Sequence, residues 1–355
     1  MTHRGMSEQE RTTLLARLAL GNVPAGPARS DTSSRNIESV RSARSRLRAD
    51  WMLHLRRMTL IASFLLASNR IVLAAIGALN RKLLHIDTVF LAYPESDKIL
   101  KKYCYGRLRA LAFWRPTLIG AYNQAGSWGL IFAIARTEKD FEAPDSAARL
   151  NKLHERMELT RKRVRAREIR FAGVLPGILH NAGIARAHSE ASAAVAAVLR
   201  AEAIVRSWEQ MDASAPVIVL GANGFIGQRL MCQLARRNIH PVDIGSAGAN
   251  FPNRDSWPAQ LTGQRALLIN VARSGSLGLY LDLLWSSLVI INEAYPPPAQ
   301  YVLDKLLALK CSCYHLAGAA ANKAYPDFPW SYAGAVPCCA AQITDETELI
   351  LRRLA

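Results

Sequence analysis

Short apolar runs alternate with longer amphipathic runs along most of this chain, and this alternation predicts an α/β protein. Turn-forming residues at 123–127 separate two of the apolar runs, so we expect those two to pair as a hairpin. Charged amphipathic patterns at 143–167 and 189–209 predict long helices. The predicted strands are, in chain order, 88–93, 117–122, 129–134, 168–175, 217–220, 266–271, 288–292 and 313–316.

Three glycines mark the turn between strand 217–220 and the helical pattern that follows it through residue 237. In a Gly-x-x-Gly-x-x-Gly bend, glycine permits a tight turn, close approach of backbone N–H groups to a pyrophosphate, and helix–strand packing. Asp243 ends the next apolar stretch, roughly 20 residues on, where a carboxylate would bind the adenosine ribose. The predicted coenzyme-binding residues are Gly221, Ala222, Asn223, Gly224, Phe225, Ile226, Gly227, Asp243 and, after a later strand, Ala272 and Arg273.

The position of the bend sets the predicted domain organisation. More than half of the chain precedes it, so a domain of ordinary size must lie upstream. We predict a flexible basic segment over residues 1–50, an N-terminal α/β substrate domain over 51–205 and a dinucleotide-binding domain over 206–330. The last domain would contain a doubly wound parallel sheet of the Rossmann type. Residues 331–355 are expected to form a helix that packs back near the cleft.

Composition narrows the class of protein. The formal net charge of +17 indicates an acidic partner, an anionic membrane surface or a solvated basic face. We do not expect nucleic acid to be a partner. The six cysteines show neither disulfide-framework nor zinc spacing, and no metal site is predicted. Reduced thiols indicate a cytoplasmic protein, with peripheral contact at the inner membrane surface as a further option.

Residues 58–79 form the longest apolar stretch, and their length would suit a membrane span. Asn69 and Arg70 lie at the centre, however, where an arginine costs at least about 2.5 kcal/mol in a bilayer. Basic pairs on both sides suit a helix that lies on an anionic surface. A buried or half-buried helix of the first domain is the interpretation we favour.

Cys338 and Cys339 follow Pro337 at the start of a helical pattern that continues to the chain end. Proline is favoured in the first turn of a helix, so both cysteines would lie near a helix N-terminus. Free N–H groups and the helix dipole there stabilise a thiolate, which makes a cysteine nucleophilic. The alternative is that both are small buried hydrophobic residues.

Four motifs in one order resemble the aldehyde-forming long-chain acyl–acyl-carrier-protein reductases, whose domain is related to those of shikimate dehydrogenase and glutamyl-tRNA reductase. The glycine bend is similar to their Val-Gly-Ala-Thr-Gly-Asp-Ile-Gly loop, and residues 293–296 are similar to a Gly-Gly-Tyr-Pro turn. The others are the His-Leu-Ala-Gly strand and the cysteine that opens the last helix. The resemblance covers roughly residues 165–350, at the level of pattern.

The resemblance implies an NAD(P)H-dependent oxidoreductase that reduces an acyl thioester, carried by acyl carrier protein or CoA, to an aldehyde. Cys338 or Cys339 would form an acyl-enzyme. Two positions depart from the family. Its Gly-Gly-Phe-Thr-Ser loop is replaced by residues 175–180, and Asp243 favours NAD where the family uses NADPH.

Other interpretations stay open. A shikimate-dehydrogenase-like enzyme would reduce a small carbonyl without a covalent step, and His180, in a predicted loop, could serve as its acid–base group. Tyr301 and Lys305 have the Tyr-x-x-x-Lys spacing of short-chain dehydrogenases, but we interpret this as coincidence. His315 is interpreted as a core residue. A third class is a non-catalytic nucleotide-binding, membrane-associated protein.

Overall fold

The computed structural model describes residues 58, 69–94, 96–103, 114–185, 189–234, 238–244, 253–325, 328 and 332–355. The predicted flexible segment 1–50 lies outside the described residues, as do residues 59–68 of the long apolar stretch. The described strands form two sheets, one of five strands and one of seven, and each contains parallel pairs. The protein is therefore α/β with mixed sheets, as the alternation of apolar and amphipathic runs predicts.

The first sheet has the strand order β10-β2-β3-β1-β4. Its strands are β1 (Ile86–Ala92), β2 (Thr117–Gln124), β3 (Ser127–Ala133), β4 (Glu168–Phe171) and β10 (Lys323–Tyr325). The predicted hairpin of β2 and β3 is confirmed, and its two-residue turn has positive φ at Ala125 (50°) and Gly126 (83°). Such turns match the right-handed twist of antiparallel strands.

Five helices accompany the first sheet in the described residues. They are α1 (Arg70–Leu79), α2 (Asp97–Tyr103), α3 (Glu138–Phe141), α4 (Ala147–Val164) and α5 (Leu175–Asn181). The buried positions of α4 recur at helical spacing, and Leu153 and Met157 pack against Val89 of β1. The sequence predicted a loop at residues 176–181, but α5 occupies that segment, because Pro176 sits in the first helical turn where its missing N–H costs nothing.

The second sheet contains five parallel strands in the order β9-β8-β7-β5-β6. They are β5 (Val217–Leu220), β6 (Ile239–Val242), β7 (Ala266–Asn270), β8 (Leu288–Asn292) and β9 (Ser312–Ala320). Every residue of β5, β7 and β8 is buried, since helices cover both faces. Residues of α6 (Ser189–Trp208) and α7 (Phe225–Leu234) pack on one face, and α8 (Gln300–Ala308) packs on the other.

The predicted C-terminal helix is wrong. Residues 337–354 form turns and then β12 (Leu349–Arg353), which pairs antiparallel with β9 beside the short strand β11 (Ala335–Val336). Thr344 and Thr347 hydrogen-bond each other's side chains and backbone, which competes with helix formation. The long β9 also offers an open edge, and pairing with it satisfies the backbone of residues 349–353.

Helix α1 begins in the middle of the long apolar stretch. Asn69 caps it, with its side-chain oxygen accepting a hydrogen bond from the N–H of Ile71 at 2.9 Å. Only Leu73 and Gly77 of this helix are buried, so the favoured interpretation of a half-buried helix describes residues 70–79. Within the described part of the chain, no helix combines the length and apolar content that crossing a bilayer requires.

Candidate functional site

The carboxyl ends of the parallel strands bring several candidate residues to one edge of the second sheet. Gly221 follows β5, Asp243 follows β6, Ala272 lies just beyond β7 and Glu293 follows β8. The strand register fixes their order along this edge, because Leu220 pairs with both Val242 and Asn270. The predicted nucleotide-contacting segments are therefore neighbours in space.

The backbone of the glycine bend leaves no room for side chains at two of its glycines. Gly221 has a φ of +90°, and a Cβ built there would lie 2.9 Å from the Cα of Ala272. A Cβ on Gly227 would lie 2.0 Å from the carbonyl oxygen of Gly221. Asn223 and Gly224, in contrast, are exposed at the turn. A phosphate-bearing group can thus come close to the backbone before the first turn of α7.

Helix α5 of the first sheet packs against the glycine bend. A Cβ on Gly177 would lie 3.1 Å from the Cβ of Phe225, and the rings of His180 and Phe225 are 5.5 Å apart. The guanidinium of Arg229 lies 4.0 Å from the centre of the same Phe225 ring, which fits a cation–π contact. The structure therefore brings His180 to the bend, together with a positive charge that sequence reasoning did not consider.

Asp243 and Arg273 stand on either side of the bend. Tyr280 donates a hydrogen bond from its hydroxyl to the backbone carbonyl of Asp243 at 3.3 Å, which holds the end of β6. Arg273 forms an ion pair with Glu142, which follows α3 beside the first sheet. Both side chains of that pair are substantially exposed, so a ligand phosphate can compete for Arg273 at little cost.

The cysteine segment is a turn, not a helix N-terminus. The N–H groups of Ala340 and Ala341 both bond to the carbonyl oxygen of Pro337, at 2.8 and 2.9 Å. Cys338 is 5% exposed, and burial raises the pKa of its thiol well above the usual range. Burial likewise raises the pKa of Cys339 to about 12. The predicted thiolate-stabilising environment is therefore wrong, since no helix dipole offsets the loss of solvation.

Three side chains of the first sheet hold this cysteine turn. Tyr122 donates its hydroxyl to the carbonyl of Ala340 at 2.7 Å. The Gln124 amide bonds to both the carbonyl and the N–H of Gln342, at 2.8 and 2.9 Å. Arg170, buried and paired with Glu168 at 2.8 Å, donates to the carbonyl of Ala341. Side chains that come at least 171 positions before their hydrogen-bond partners therefore hold the turn that contains Cys338 and Cys339.

Glu293 is the functional candidate that sequence reasoning missed. Burial raises the pKa of its carboxyl to about 7, and its charge in turn raises the pKa of Cys338, Cys339 and Tyr332. Its side chain makes no hydrogen bond or ion pair with any described residue. A carboxyl group that titrates near neutrality at the end of a parallel strand is suited to proton transfer. One signal was available: an acidic residue directly after the predicted strand 288–292.

A row of polar side chains crosses the sheet just inside this edge. The amide of Asn270 donates to the side-chain oxygen of Asn292 at 2.7 Å, and Nδ1 of His315 lies 3.0 Å from the Asn292 carbonyl. Burial lowers the pKa of His315 to about 4, so the ring is neutral at physiological pH. Its Nε2 atom has no hydrogen-bond partner among the described residues. His315 is buried, as predicted, but only one of its two ring nitrogens has a hydrogen-bond partner among the described residues.

The short-chain-dehydrogenase spacing falls on a surface helix. Tyr301 is 63% exposed on α8, and Lys305 lies one turn further along the same helix. Across the described residues, no group of three or more histidine, cysteine or carboxylate side chains is arranged to hold a metal ion.

With the site's geometry defined, the chain was compared with known proteins. No family model and no curated protein matches it. The function therefore has to be inferred from the geometry and chemistry of the site.

Proposed function

We propose that this chain is an NAD(P)-dependent oxidoreductase that reduces a carbonyl carbon at the carboxyl edge of the second sheet. The observation that carries the proposal is the bend at residues 221–227, where Gly221 and Gly227 have no room for a Cβ. The strand order supports it, because β5 to β9 follow the two-one-three-four-five order, one of the two common orders of doubly wound parallel sheets. In such sheets the ligand lies where the order reverses, here between β5 and β7.

Glu293 is the residue that we assign to proton transfer. The bound coenzyme supplies a hydride from its nicotinamide ring. Glu293, protonated over part of the neutral range, donates its proton to the carbonyl oxygen of the substrate as the carbon is reduced. The Cys338 thiol and the Tyr332 hydroxyl lie near enough to this carboxyl group for its charge to raise their pKa values, which makes them neighbours of the proposed proton donor.

A second candidate is the thioester reductase that the sequence resemblance implies. The observation that favours it is the closeness of Glu293 to the Cys338 thiol, since the charge of Glu293 raises the pKa of that thiol. The Glu293 carboxylate would take the thiol proton as sulfur attacks the thioester carbon, and would return it to the departing carrier thiolate. The acyl group would then remain on Cys338 until reduction breaks the C–S bond. A net charge of +17 suits an acidic acyl carrier protein.

Substitution of the cysteines separates these two routes. We expect the Cys338→Ala variant to keep carbonyl reduction within about threefold of the native rate, since it removes no group from proton transfer. If the covalent route operates, the same variant loses acyl-CoA reduction by about 1,000-fold or more, as expected for removal of a nucleophile. NADH oxidation with aldehydes and with acyl-CoA thioesters measures both. Cys232→Ala, which changes an exposed cysteine on α7, is the matched control.

Asp243 predicts the coenzyme preference. Its register beside Gly221 places a carboxylate where it would meet the adenosine ribose and repel a 2′-phosphate. We expect calorimetry to give tighter binding of NADH than of NADPH by about tenfold or more, equivalent to about 1.4 kcal/mol. Asp243→Asn should remove most of that difference by improving NADPH binding. Equal affinities in the native protein would contradict this role of Asp243.

Coenzyme binding is also the test of the proposed function as a whole. Native mass spectrometry and calorimetry with NADH and NADPH should detect one bound molecule per chain. Binding without turnover on any aldehyde or thioester would favour a non-catalytic nucleotide-binding protein. No binding of either coenzyme would remove the oxidoreductase assignment altogether.

A further inference from the structure

Helix α1 is followed directly by a π-helical segment, Asn80–Leu84. Together, these two segments expose five large apolar side chains. Ile71 is 78% exposed, Leu79 is 50% exposed and Leu83 is 69% exposed. Val72 and Leu84 are also exposed, whereas the helix buries only Leu73 and Gly77 against the first sheet and α4. Apolar side chains exposed together within so short a segment indicate a contact surface for a partner or a membrane.

Basic side chains from two distant parts of the sequence border these apolar residues. Arg81 and Lys82 directly precede Leu83 and are exposed. The side-chain amide of Asn80 donates to the carbonyls of Val164 and Arg165, at 3.1 and 3.2 Å, and so fixes the C-terminal end of α4 beside the π-helical segment.

The end of α4 adds its own bases to this border. Arg165 and Arg167 are both exposed, and the N–H of Arg167 bonds to the carbonyl of Asp87 at 2.8 Å. We call the surface formed by residues 70–84 together with Arg165 and Arg167 the basic-apolar patch.

The residues of the patch carry positive charge only. Residues 70–84 contain Arg70, Arg81 and Lys82 and no acidic residue, and Arg165 and Arg167 add two further positive charges. Nearby, Asp87 accepts a hydrogen bond from the hydroxyl of Ser127 at 2.7 Å and keeps its charge, while Glu158 pairs with Arg161 at 2.9 Å. The patch is therefore positively charged within a chain whose formal net charge is +17. A second copy of the chain would bring like charges together. Nucleic acid would leave the exposed leucines in water, whereas a bilayer with anionic headgroups complements both features.

We propose that the basic-apolar patch binds the surface of an anionic lipid bilayer. Leu79, Leu83 and Ile71 would enter the boundary between headgroups and acyl chains, and Arg81, Lys82, Arg165 and Arg167 would contact the headgroups. This association is independent of coenzyme binding and of the proposed oxidoreductase chemistry. It would hold the protein at a membrane where an apolar substrate is concentrated.

Co-sedimentation of the full chain with vesicles tests the proposal. We expect binding to phosphatidylcholine vesicles that contain phosphatidylglycerol, weaker binding at high salt, and little binding to phosphatidylcholine alone. Both Leu83→Glu and the double variant Arg81→Glu, Lys82→Glu should weaken binding by about tenfold or more. Leu307→Glu is the matched control, because Leu307 is a leucine of α8 that is 55% exposed. It should bind like the native chain.

A direct contact measurement separates the patch from other basic segments of the chain. In the Leu83→Trp variant, lipids with brominated acyl chains should quench fluorescence beyond the quenching of the native protein, and the Leu307→Trp variant should show no such increase. Absence of native binding, equal binding of all variants, or no added quenching at position 83 would overturn the proposal. A native dimer in light scattering that Leu83→Glu converts to monomer would instead assign the patch to self-association.

Discussion

Replacing Glu293 with glutamine is expected to lower kcat by about 100-fold or more, because the amide cannot donate a proton to the substrate. The pH profile should change as well. In the native protein the rate of the proposed carbonyl reduction should fall as pH rises through about 7, where the Glu293 carboxyl loses its proton. The variant should lose that dependence. Steady-state NADH oxidation between pH 5 and 9 measures both effects.

Two further variants serve as controls for the effect of Glu293→Gln. Glu346→Gln removes an exposed carboxylate from the C-terminal segment and should leave kcat and its pH profile unchanged. Glu293→Asp keeps a carboxyl group at a shorter reach and should recover part of the lost rate. A native pH profile in Glu293→Gln would show that another group transfers the proton, while leaving coenzyme binding at the glycine bend intact.

The raised pKa of Glu293 also predicts how the stability of the protein depends on pH, which can be measured without a substrate. Folding raises the pKa of Glu293 from its ordinary value of 4.5 to about 7, so the folded protein holds this proton more tightly than the unfolded chain. The contribution of this proton to the free energy of unfolding is fully present below about pH 4.5 and is lost as pH rises through 7. Glu293→Gln should therefore raise the melting temperature at pH 8 by about 2 °C and change it little at pH 5. Thermal melts by circular dichroism measure the difference.

Gly221→Ala is expected to weaken coenzyme binding by at least tenfold. An alanine there must adopt a φ of +90°, and its Cβ would lie 2.9 Å from the Cα of Ala272. The clash involves backbone atoms, so the bend or the end of β7 has to move. Either shift misplaces the N–H groups that would contact the pyrophosphate. Calorimetry with NADH should show at least a tenfold loss of affinity in a variant that remains folded by circular dichroism.

Gly263→Ala is the control for strain without a clash. Gly263 has a φ of +83°, but a Cβ there would meet no heavy atom within 4 Å. This variant should lose about 1–2 kcal/mol of stability, the cost of a left-handed alanine, and should bind NADH like the native chain. If Gly221→Ala also bound NADH with native affinity, the bend at residues 221–227 would not be the coenzyme site.

Most strands could be predicted from the sequence because they are defined locally. The fully buried β5, β7 and β8 each begin with four consecutive apolar residues and lie near turn-forming residues. The β2–β3 hairpin was equally clear, since Ala125 and Gly126 occupy a two-residue turn between two apolar runs. The spacing of glycines likewise located the bend that the structure places at the carboxyl edge.

The features that escaped prediction depend on contacts between distant residues. Residues 349–353, three apolar residues followed by two arginines, suit a helix or a strand, and the open edge of β9 decides in favour of the strand. Glu293 could be read as part of a turn, because only the packed structure shows the partial burial that raises the pKa of its carboxyl group. The order of strands in the first sheet, which includes β10 from near the end of the chain, carries no local signal.

The late position of β10 and of the cysteine turn has a consequence for how the protein is made on the ribosome. β2 gains its outer neighbour only from residues 323–325, and Tyr122, Gln124 and Arg170 meet their partners only at residues 340–342. A growing chain therefore has to keep an edge of its first-made sheet unsatisfied through most of translation, when such edges are prone to aggregate. Nascent chains released before residue 320 should be captured by chaperones far more readily than the finished protein.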